Sequence, residues 1–282
     1  MPELKLLSQF DISAIGSAVR DLSIVSVDPA ALEESILARQ TPLPRDYFKP
    51  LKVRSNTGEK LRIGDVVLFS SRLEGAYTEL QVATGKNVAM TQHGVYIGVL
   101  CERGSGKFLN GKFLTPPCLS QDLDLQLLYE SGGIGFAIGF SRTLAKTNPS
   151  GAAGDVAIIG VVVDEATDRP LNTVSAMMPS VFAGLDFATP LVFIGGSGPS
   201  VGKTTTTAAL LGALADDVVC SAVKAAGTGC LEDSEAHLNN GAEYIVHSMD
   251  VGMPTTYIDP EIYGTGIREM LAYAADPNLV PD

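Results

Sequence analysis

Short apolar runs separated by glycine-containing turns dominate the chain from about residue 61 onward. Three of these runs are rich in β-branched and aromatic residues: 65–69, 77–82 and 94–100. Short strands at close spacing with glycine turns are typical of all-β modules. They predict a small barrel or meander over about 60–115, but strands alone do not assign a function.

Two later runs predict further strands. Residues 125–129 are consistent with a strand, and 155–163 form an apolar run long enough for a buried one. Gly133-Ile134-Gly135 lacks the spacing of a dinucleotide-binding loop, so we interpret it as a close-packing stretch. Ahead of the barrel, residues 29–39 predict a short helix that begins at Pro29.

The pattern changes near residue 190. Residues 191–194 match a buried strand, 203–215 predict a helix, and 218–223 predict the next strand. A strand, a helix and a strand in this order form a βαβ unit, whose right-handed crossover makes the two strands parallel. We therefore expect a β-rich region over 1–187 and a second domain over 188–282.

The strongest chemical signal is the segment GGSGPSVGKTT at 195–205, between the predicted strand and helix. Its glycines let backbone N–H groups point at phosphate oxygens, and the helix start adds the positive end of its dipole. We assign Lys203 to the β- and γ-phosphates, Thr204 to Mg²⁺ and Thr205 to the α-phosphate. The predicted nucleotide-binding set is Gly196, Ser197, Gly198, Pro199, Ser200, Val201, Gly202, Lys203, Thr204 and Thr205.

This loop departs from the usual phosphate-loop pattern at one position. Ser197 stands where a glycine is expected, and Gly196 lies one residue earlier, so the loop has one extra residue. The alternative interpretation is a glycine-rich turn between a strand and a helix that binds no ligand.

The longer loop resembles that of dethiobiotin synthetase and its relatives in the SIMIBI class of P-loop nucleotidases. In that family the strand after the first helix ends in a lysine followed by small residues and glycine, as Lys224 is here. The resemblance implies that Lys224 contacts a substrate carbamate and the transferred phosphate, where a second cation stabilises developing charge. The alternative is a surface lysine at a strand end.

Residues 192–257 are more closely similar to an uncharacterised P-loop family with the same fold. Some of its members are linked to D-glutamate N-acetylation or acyl-amino-acid chemistry. The likeness includes the segment DVGMPTTY at 250–257. The expected fold class is thus α/β: a C-terminal P-loop domain with a parallel sheet, preceded by a β-rich region with a small barrel or meander.

Phosphoryl transfer needs a carboxylate near Mg²⁺. Asp250 lies after the phosphate loop, which is the motif order of these folds, so we predict it as a metal ligand and catalytic residue. The alternative for Asp250 is an Asx turn. Asp164 ends the better apolar run but precedes the loop, so we interpret it as a turn former.

Other titratable residues near the predicted site receive structural interpretations. We expect the acids after Gly229 to form a solvated helix start, where negative charge suits the helix dipole. We expect both nearby histidines to be structural or exposed. These residues are Glu232, Asp233, Glu235, His237 and His247.

Acidic residues outnumber basic ones by 32 to 20, giving a net charge of −12. This balance argues against nucleic acid and anionic lipid as partners. No apolar run reaches the roughly 18 residues that cross a bilayer, and the first residues do not resemble a signal peptide. Four scattered cysteines favour a reducing compartment, so we expect a cytoplasmic protein.

The predicted second domain is short for a nucleotide-binding fold. Three explanations remain open: the chain is truncated, a partner chain or second copy completes the sheet, or the domain is a reduced form.

The functional hypothesis is a protein that binds ATP with Mg²⁺ and transfers a phosphoryl group to a small carboxylate or carbamate. Such an ATP-dependent ligase or synthetase would take an amino-acid-like substrate and use Lys203, Lys224 and Asp250 in catalysis. One alternative is a nucleotide-binding regulatory or scaffold subunit with little activity alone. Another is an acyltransferase whose loop holds the phosphates of coenzyme A.

Overall fold

The computed structural model describes residues 21–24, 36–41, 43, 51–54, 60–73, 77–104, 109–113, 125–140, 155–177, 189–227 and 229–276. Its strands, in chain order, are β1 (Asp21–Ile24), β2 (Leu51–Arg54), β3 (Val66–Ser71), β4 (Glu79–Gln81), β5 (Asn87–Ala89), β6 (Val95–Leu100), β7 (Leu109–Gly111), β8 (Leu125–Tyr129), β9 (Gly133–Gly135), β10 (Ala137–Phe140), β11 (Asp155–Val163), β12 (Cys220–Lys224) and β13 (Ala242–His247). Its helices are α1 (Thr173–Met177), α2 (Lys203–Leu214), α3 (Leu231–Leu238) and α4 (Pro260–Ala275), with a 3₁₀ turn at Ser248–Val251.

A closed five-stranded barrel forms the centre of the β-rich part. Its strands follow the order β11–β3–β6–β9–β8, and β8 pairs again with β11 to close the ring. The β6–β9 pair is parallel and the other pairs are antiparallel, so the sheet is mixed. The strands predicted at 65–69, 94–100, 125–129 and 155–163 are confirmed as members of this barrel.

The barrel core is built from strands that are buried along their whole length. Every residue of β3 and β6 is buried, with Phe69 and Ile97 among the largest side chains fully removed from solvent. The turn between β8 and β9 needs a glycine at residue 132, whose φ is +93°. A Cβ at Gly132 would lie 2.0 Å from the Cβ of Ala38, so the absent side chain lets segment 36–41 pack against the barrel.

Segment 36–41 corrects the predicted helix over 29–39, of which residues 29–35 lie outside the described part. Leu37 bridges Ile97 and Ala38 bridges Val82, so these two residues are extended, with turn residues on either side of them. Ile36, Leu37 and Ala38 are all buried. An amphipathic helix does not bury three consecutive side chains, whereas an extended segment between two packed layers does.

The C-terminal part contains a two-stranded parallel sheet of β12 and β13, joined by α3. Leu211 of α2 packs with Ala222 and Ala242. Met270 and Tyr273 of α4 pack with Val246, and the neighbouring Val223 lies against the same cluster. Because consecutive strand residues point to opposite faces, α2 and α4 cover opposite faces of this small sheet.

The expected α/β fold with a C-terminal P-loop domain is wrong, and the described C-terminal part holds a parallel sheet of two strands only. The structure is mostly strands, with a closed barrel, a mixed sheet and few helices in the described residues. The strand predicted at 191–194 is an irregular segment, and its Phe193 is 85% exposed. The predicted β–α–β unit around α2 is therefore not formed, because α2 follows no paired strand.

The composition of α2 explains this outcome. Its sequence KTTTTAALLGAL begins with a run of threonines, and only Ala208 and Leu211 are buried. A strand of a parallel sheet requires apolar cover on both faces. The buried Leu211 of α2 packs on β12 and β13, and α2 has no further apolar stripe that would cover a strand at 191–194.

In the described part of the chain, every helix is too short or too polar to pass through a bilayer.

Candidate functional site

The glycine-rich segment leads directly into α2. Gly202 occupies the N-cap position with φ 95° and ψ 10°, a left-handed conformation that glycine adopts without steric cost. The Nζ of Lys203 donates to the carbonyl oxygen of Gly198 at 2.6 Å, so the lysine lies across its own loop. This contact places the charge of Lys203 beside the backbone segment that we predict to hold phosphate.

One carboxylate joins two of the predicted site residues. The hydroxyl of Thr204 donates to Oδ1 of Asp233 at 2.8 Å. The Nζ of Lys224 lies 2.8 Å from Oδ2 of the same residue. Thr204 at the start of α2 and Lys224 at the end of β12 thus converge on Asp233 in the first turn of α3.

The environment of Asp233 favours its ionised form. Burial opposes the charge, but the Lys224 ammonium and the hydrogen bonds from Lys224 and Thr204 outweigh it and hold the pKa of this carboxyl below its ordinary value. The Lys224 side chain is only 9% exposed and that of Asp233 is 38% exposed. The pair is therefore an ionised cluster at the edge of the packed interior.

Asp233 was expected in a solvated helix start and was not predicted as a site residue. Its carboxylate instead bridges Thr204, the predicted metal ligand, and Lys224, the lysine predicted to contact the acceptor and the transferred phosphate. One signal was present: a lysine at the end of a buried strand needs a counterion. The closest acids that follow it are those of the next helix.

Asp250 is placed in the turn that follows β13. Its Oδ2 accepts a hydrogen bond from the backbone N–H of His247 at 2.7 Å, as part of a capping box at the 3₁₀ turn. Burial raises the pKa of Asp250, while that hydrogen bond and the charge of Arg39 act in the opposite direction. Its role as a metal ligand stays a prediction, and its described contacts serve the turn.

The two histidines near the cluster are buried. His247 shares a 2.8 Å hydrogen bond between its Nε2 and the hydroxyl of Ser234. Burial, followed by the charges of Lys224 and Arg39, lowers the pKa of His247 to about 3. Burial also lowers the pKa of His237. Both imidazoles are buried, so the exposed alternative is wrong for them and the structural interpretation stays a prediction.

Two other interpretations from the sequence are confirmed. Asp164 follows β11 and its Oδ1 accepts from the backbone N–H of Thr167 at 2.8 Å, as a turn former does. The Gly133–Gly135 stretch is strand β9, fully buried in the barrel. A Cβ at Gly133 would lie 2.0 Å from the Tyr129 ring, so this glycine serves close packing.

The donor set around Asp233 fits Mg²⁺. Among the described residues no cluster of three or more His, Cys, Asp or Glu side chains could hold a metal ion. Mg²⁺ is commonly bound by one or two carboxylates together with substrate phosphates and water. A carboxylate oxygen of Asp233 and the hydroxyl of Thr204 are oxygen ligands of that kind, adjacent to the phosphate-binding segment.

A separate cavity of about 460 Å³ lies between the barrel and the segment that precedes α4. Its polar lining includes Glu102, Arg103, Asn110, Lys112 and Asp259. None of the predicted nucleotide-binding residues contributes to it, so this cavity is distinct from the cluster around Asp233.

Comparison of the chain with protein-family models, with curated proteins and with solved structures finds no match in any of the three.

Proposed function

We propose that this protein binds ATP with Mg²⁺ at the glycine-rich segment and transfers a phosphoryl group to a small carboxylate or carbamate substrate. The observation that carries the proposal is the convergence of Thr204 and Lys224 on the carboxylate of Asp233, each at 2.8 Å. Two oxygen ligands, from Thr204 and Asp233, therefore lie together with the Lys224 ammonium beside the glycine-rich start of α2.

The charge and position of each residue assign it to phosphate binding or to metal binding. Backbone N–H groups of segment 195–205 and the N-terminus of α2 bind phosphate oxygens. Lys203 exchanges its contact with the Gly198 carbonyl for the β- and γ-phosphates. Thr204 and Asp233 hold the metal ion, which when bound neutralises charge on the phosphate oxygens.

Lys224 acts on the acceptor side. Its ammonium lies at the end of β12 and attracts an anionic carboxylate or carbamate. During transfer, an acceptor oxygen forms a bond to the γ-phosphorus, and the bond from that phosphorus to the bridging oxygen of the diphosphate breaks. Lys224 stabilises the negative charge of the transferring group. Asp250 remains a predicted second carboxylate of this site.

Calorimetric titration of Mg-ATP tests the proposal, with Lys203→Ala as the diagnostic variant. We expect the intact protein to bind and Lys203→Ala to lose binding, because that variant removes the cation nearest the phosphates. Lys52→Ala is the matched control, since Lys52 pairs with Asp168 in the β-rich part, away from the glycine-rich segment. Lack of binding to the intact protein would overturn the proposal.

One observation favours a second candidate, a nucleotide-binding regulatory or scaffold subunit. Leu191, Val192 and Phe193 are exposed directly before the glycine-rich segment. Exposed apolar patches often mark protein–protein contacts. Phosphate release that rises with a small carboxylate or amine supports the enzyme, whereas release that rises only with a partner protein supports the subunit.

A further inference from the structure

The loop between β12 and α3, of which residues 225–227, 229 and 230 are described, connects the two members of the ion pair. It leaves β12 at Lys224 and enters α3 at Leu231, two residues before Asp233. The position of this loop therefore determines where the lysine and the carboxylate lie relative to each other.

Side chains from one edge of the β-rich part hold this loop. We call that edge the barrel rim and define it as residues 36–41, Gln81 and Ser131. The rim is itself connected by backbone hydrogen bonds, from Arg39 N to Gln81 O and from Gln40 N to Ser131 O, both 2.8 Å. It therefore forms one continuous surface toward the loop.

Gly229 is bound to the rim through both of its backbone groups. Its N–H donates to Oε1 of Gln40 at 3.0 Å, and its carbonyl accepts from Nε of Arg39 at 3.0 Å. A Cβ at Gly229 would lie 2.6 Å from Oε1 of Gln40 and 2.7 Å from the sulfur of Met249. A side chain at this position would therefore displace the end of the Gln40 or the Met249 side chain.

The buried side-chain amide of Gln40 has hydrogen-bond partners for both its oxygen and its nitrogen. Its exposed fraction is 0%. Its Oε1 also accepts from the Ser131 hydroxyl at 2.7 Å, and its Nε2 donates to the carbonyl of Pro254. The side chain thus connects the rim to two C-terminal segments at once.

Gln81 caps the helix that carries Asp233. The first N–H groups of a helix lack partners within the helix, and Cys230 at the N-cap of α3 makes no side-chain cap. Oε1 of Gln81 accepts from the backbone N–H of Leu231, the first residue of α3, at 3.2 Å. The rim therefore supplies the cap from outside the helix.

We propose that Gln81 and Gln40 are positioning residues that hold Asp233 and Lys224 in place, so that the barrel rim controls the metal-dependent part of nucleotide binding. This inference rests on the proposed function for its nucleotide readout. Neither glutamine contacts Thr204, Lys224 or Asp233 in the contacts described, so each acts through the loop and the first turn of α3.

The test uses Gln81→Met, which keeps the length of the side chain and removes the acceptor. Hydrogen exchange of the amides at residues 231–234, measured without nucleotide, is expected to become faster, because the N-terminus of α3 loses its cap. Binding of ATP is then measured by calorimetry with Mg²⁺ and with EDTA. We expect binding with Mg²⁺ to weaken about tenfold, as the loss of one hydrogen bond predicts, and binding in EDTA to stay within about twofold.

Gln126→Met is the matched control. Oε1 of Gln126 accepts from the backbone N–H of Ala137 at 2.8 Å within the barrel, so this variant loses the same kind of bond away from the rim. Far-UV circular dichroism checks that both variants keep their strands. The control is expected to leave exchange at 231–234 and both ATP affinities unchanged.

The outcomes separate the two proposals. Exchange at 231–234 that is equal in Gln81→Met and the intact protein overturns the positioning role, whatever the nucleotide data show. Equal weakening with Mg²⁺ and with EDTA, or the same selective loss in Gln126→Met, also overturns it. If the intact protein binds no Mg-ATP, the proposed function is overturned. Hydrogen exchange at residues 231–234 then tests alone whether Gln81 positions the start of α3.

Discussion

Asp233 accepts from Thr204 and Lys224 with different oxygens, so one side chain fixes the relative positions of α2, β12 and α3. The two carboxylate oxygens that accept from Thr204 and Lys224 are also the type of ligand that a hard cation such as Mg²⁺ prefers. Under the proposed function, a bound Mg²⁺ would compete with Lys224 for these oxygens and would leave the lysine available to an anionic substrate.

The pH dependence of stability tests the ionised state of Asp233. Because its pKa is lowered in the fold, the ionised carboxylate stabilises the protein above the ordinary aspartate pKa of about 3.9. That contribution is lost as the pH falls through the lowered pKa. We expect Asp233→Asn to reduce the free energy of unfolding by about 1–2 kcal/mol at pH 7, since the substitution leaves the mostly buried Lys224 without its carboxylate.

Urea unfolding at neutral and acid pH measures this difference. The gap between Asp233→Asn and the intact protein is expected to close once the pH lies below both pKa values. Asp216→Asn serves as a control, because Asp216 is exposed, and its effect should be small at both values. A gap of constant size across the range would show that Asp233 is not charged in the way described.

At the scale of elements, the sequence pattern predicted local structure well and long-range pairing poorly. β3, β6, β8, β11 and α2 were each marked by periodicity or by flanking turn residues. Closure of the barrel depends on Asp155 and Val156 pairing with Gln126 and Leu125, a non-local contact that no window of sequence contains.

The prediction of a buried strand at 191–194 was wrong for a different reason. A short apolar run looks the same whether it becomes a buried strand or an exposed segment. The outcome depends on cover from other elements, and α2 provides little. Gln40 and Gln81 were missed for a related reason, since their C-terminal partners are at least 150 residues away in sequence.

Substitutions in 191–194 test the corrected fold. Because Val192 is 65% exposed and Phe193 is 85% exposed, we expect Val192→Asn and Phe193→Ser to change the free energy of unfolding by no more than about 0.5 kcal/mol. Ile97→Ala is the contrasting variant, since Ile97 is fully buried in the barrel, and we expect it to cost about 2–5 kcal/mol. If urea denaturation shows that Val192→Asn also costs about 2–5 kcal/mol, residues 191–194 form a buried strand and the corrected fold is wrong.

At the scale of the whole molecule, the barrel and the C-terminal part meet through buried polar contacts as well as packing. The hydroxyl of Thr255, itself fully buried, donates to the Glu102 carbonyl at 2.9 Å. A Cβ at Gly104 would lie 2.6 Å from the Tyr257 ring, and one at Gly252 would lie 2.4 Å from the Thr173 carbonyl. At these two positions the parts therefore approach each other too closely for a side chain at the glycine.

Gln40→Leu measures the strength of this junction. The variant leaves the Gly229 N–H and the Pro254 carbonyl buried without their partners, and we expect a loss of about 1–3 kcal/mol in the free energy of unfolding. Chemical denaturation followed by circular dichroism gives the value. A loss under about 0.5 kcal/mol would mean that water or rearrangement replaces these bonds and that the junction is weak.

The most direct test of the central claim is the titration of ATP into the intact protein and into Asp233→Asn, each with Mg²⁺ and with EDTA. We predict that Mg²⁺ strengthens binding to the intact protein and that Asp233→Asn loses this gain while keeping its affinity in EDTA. Equal strengthening by Mg²⁺ in both proteins would contradict the account, because Asp233 would then have no part in holding the metal ion.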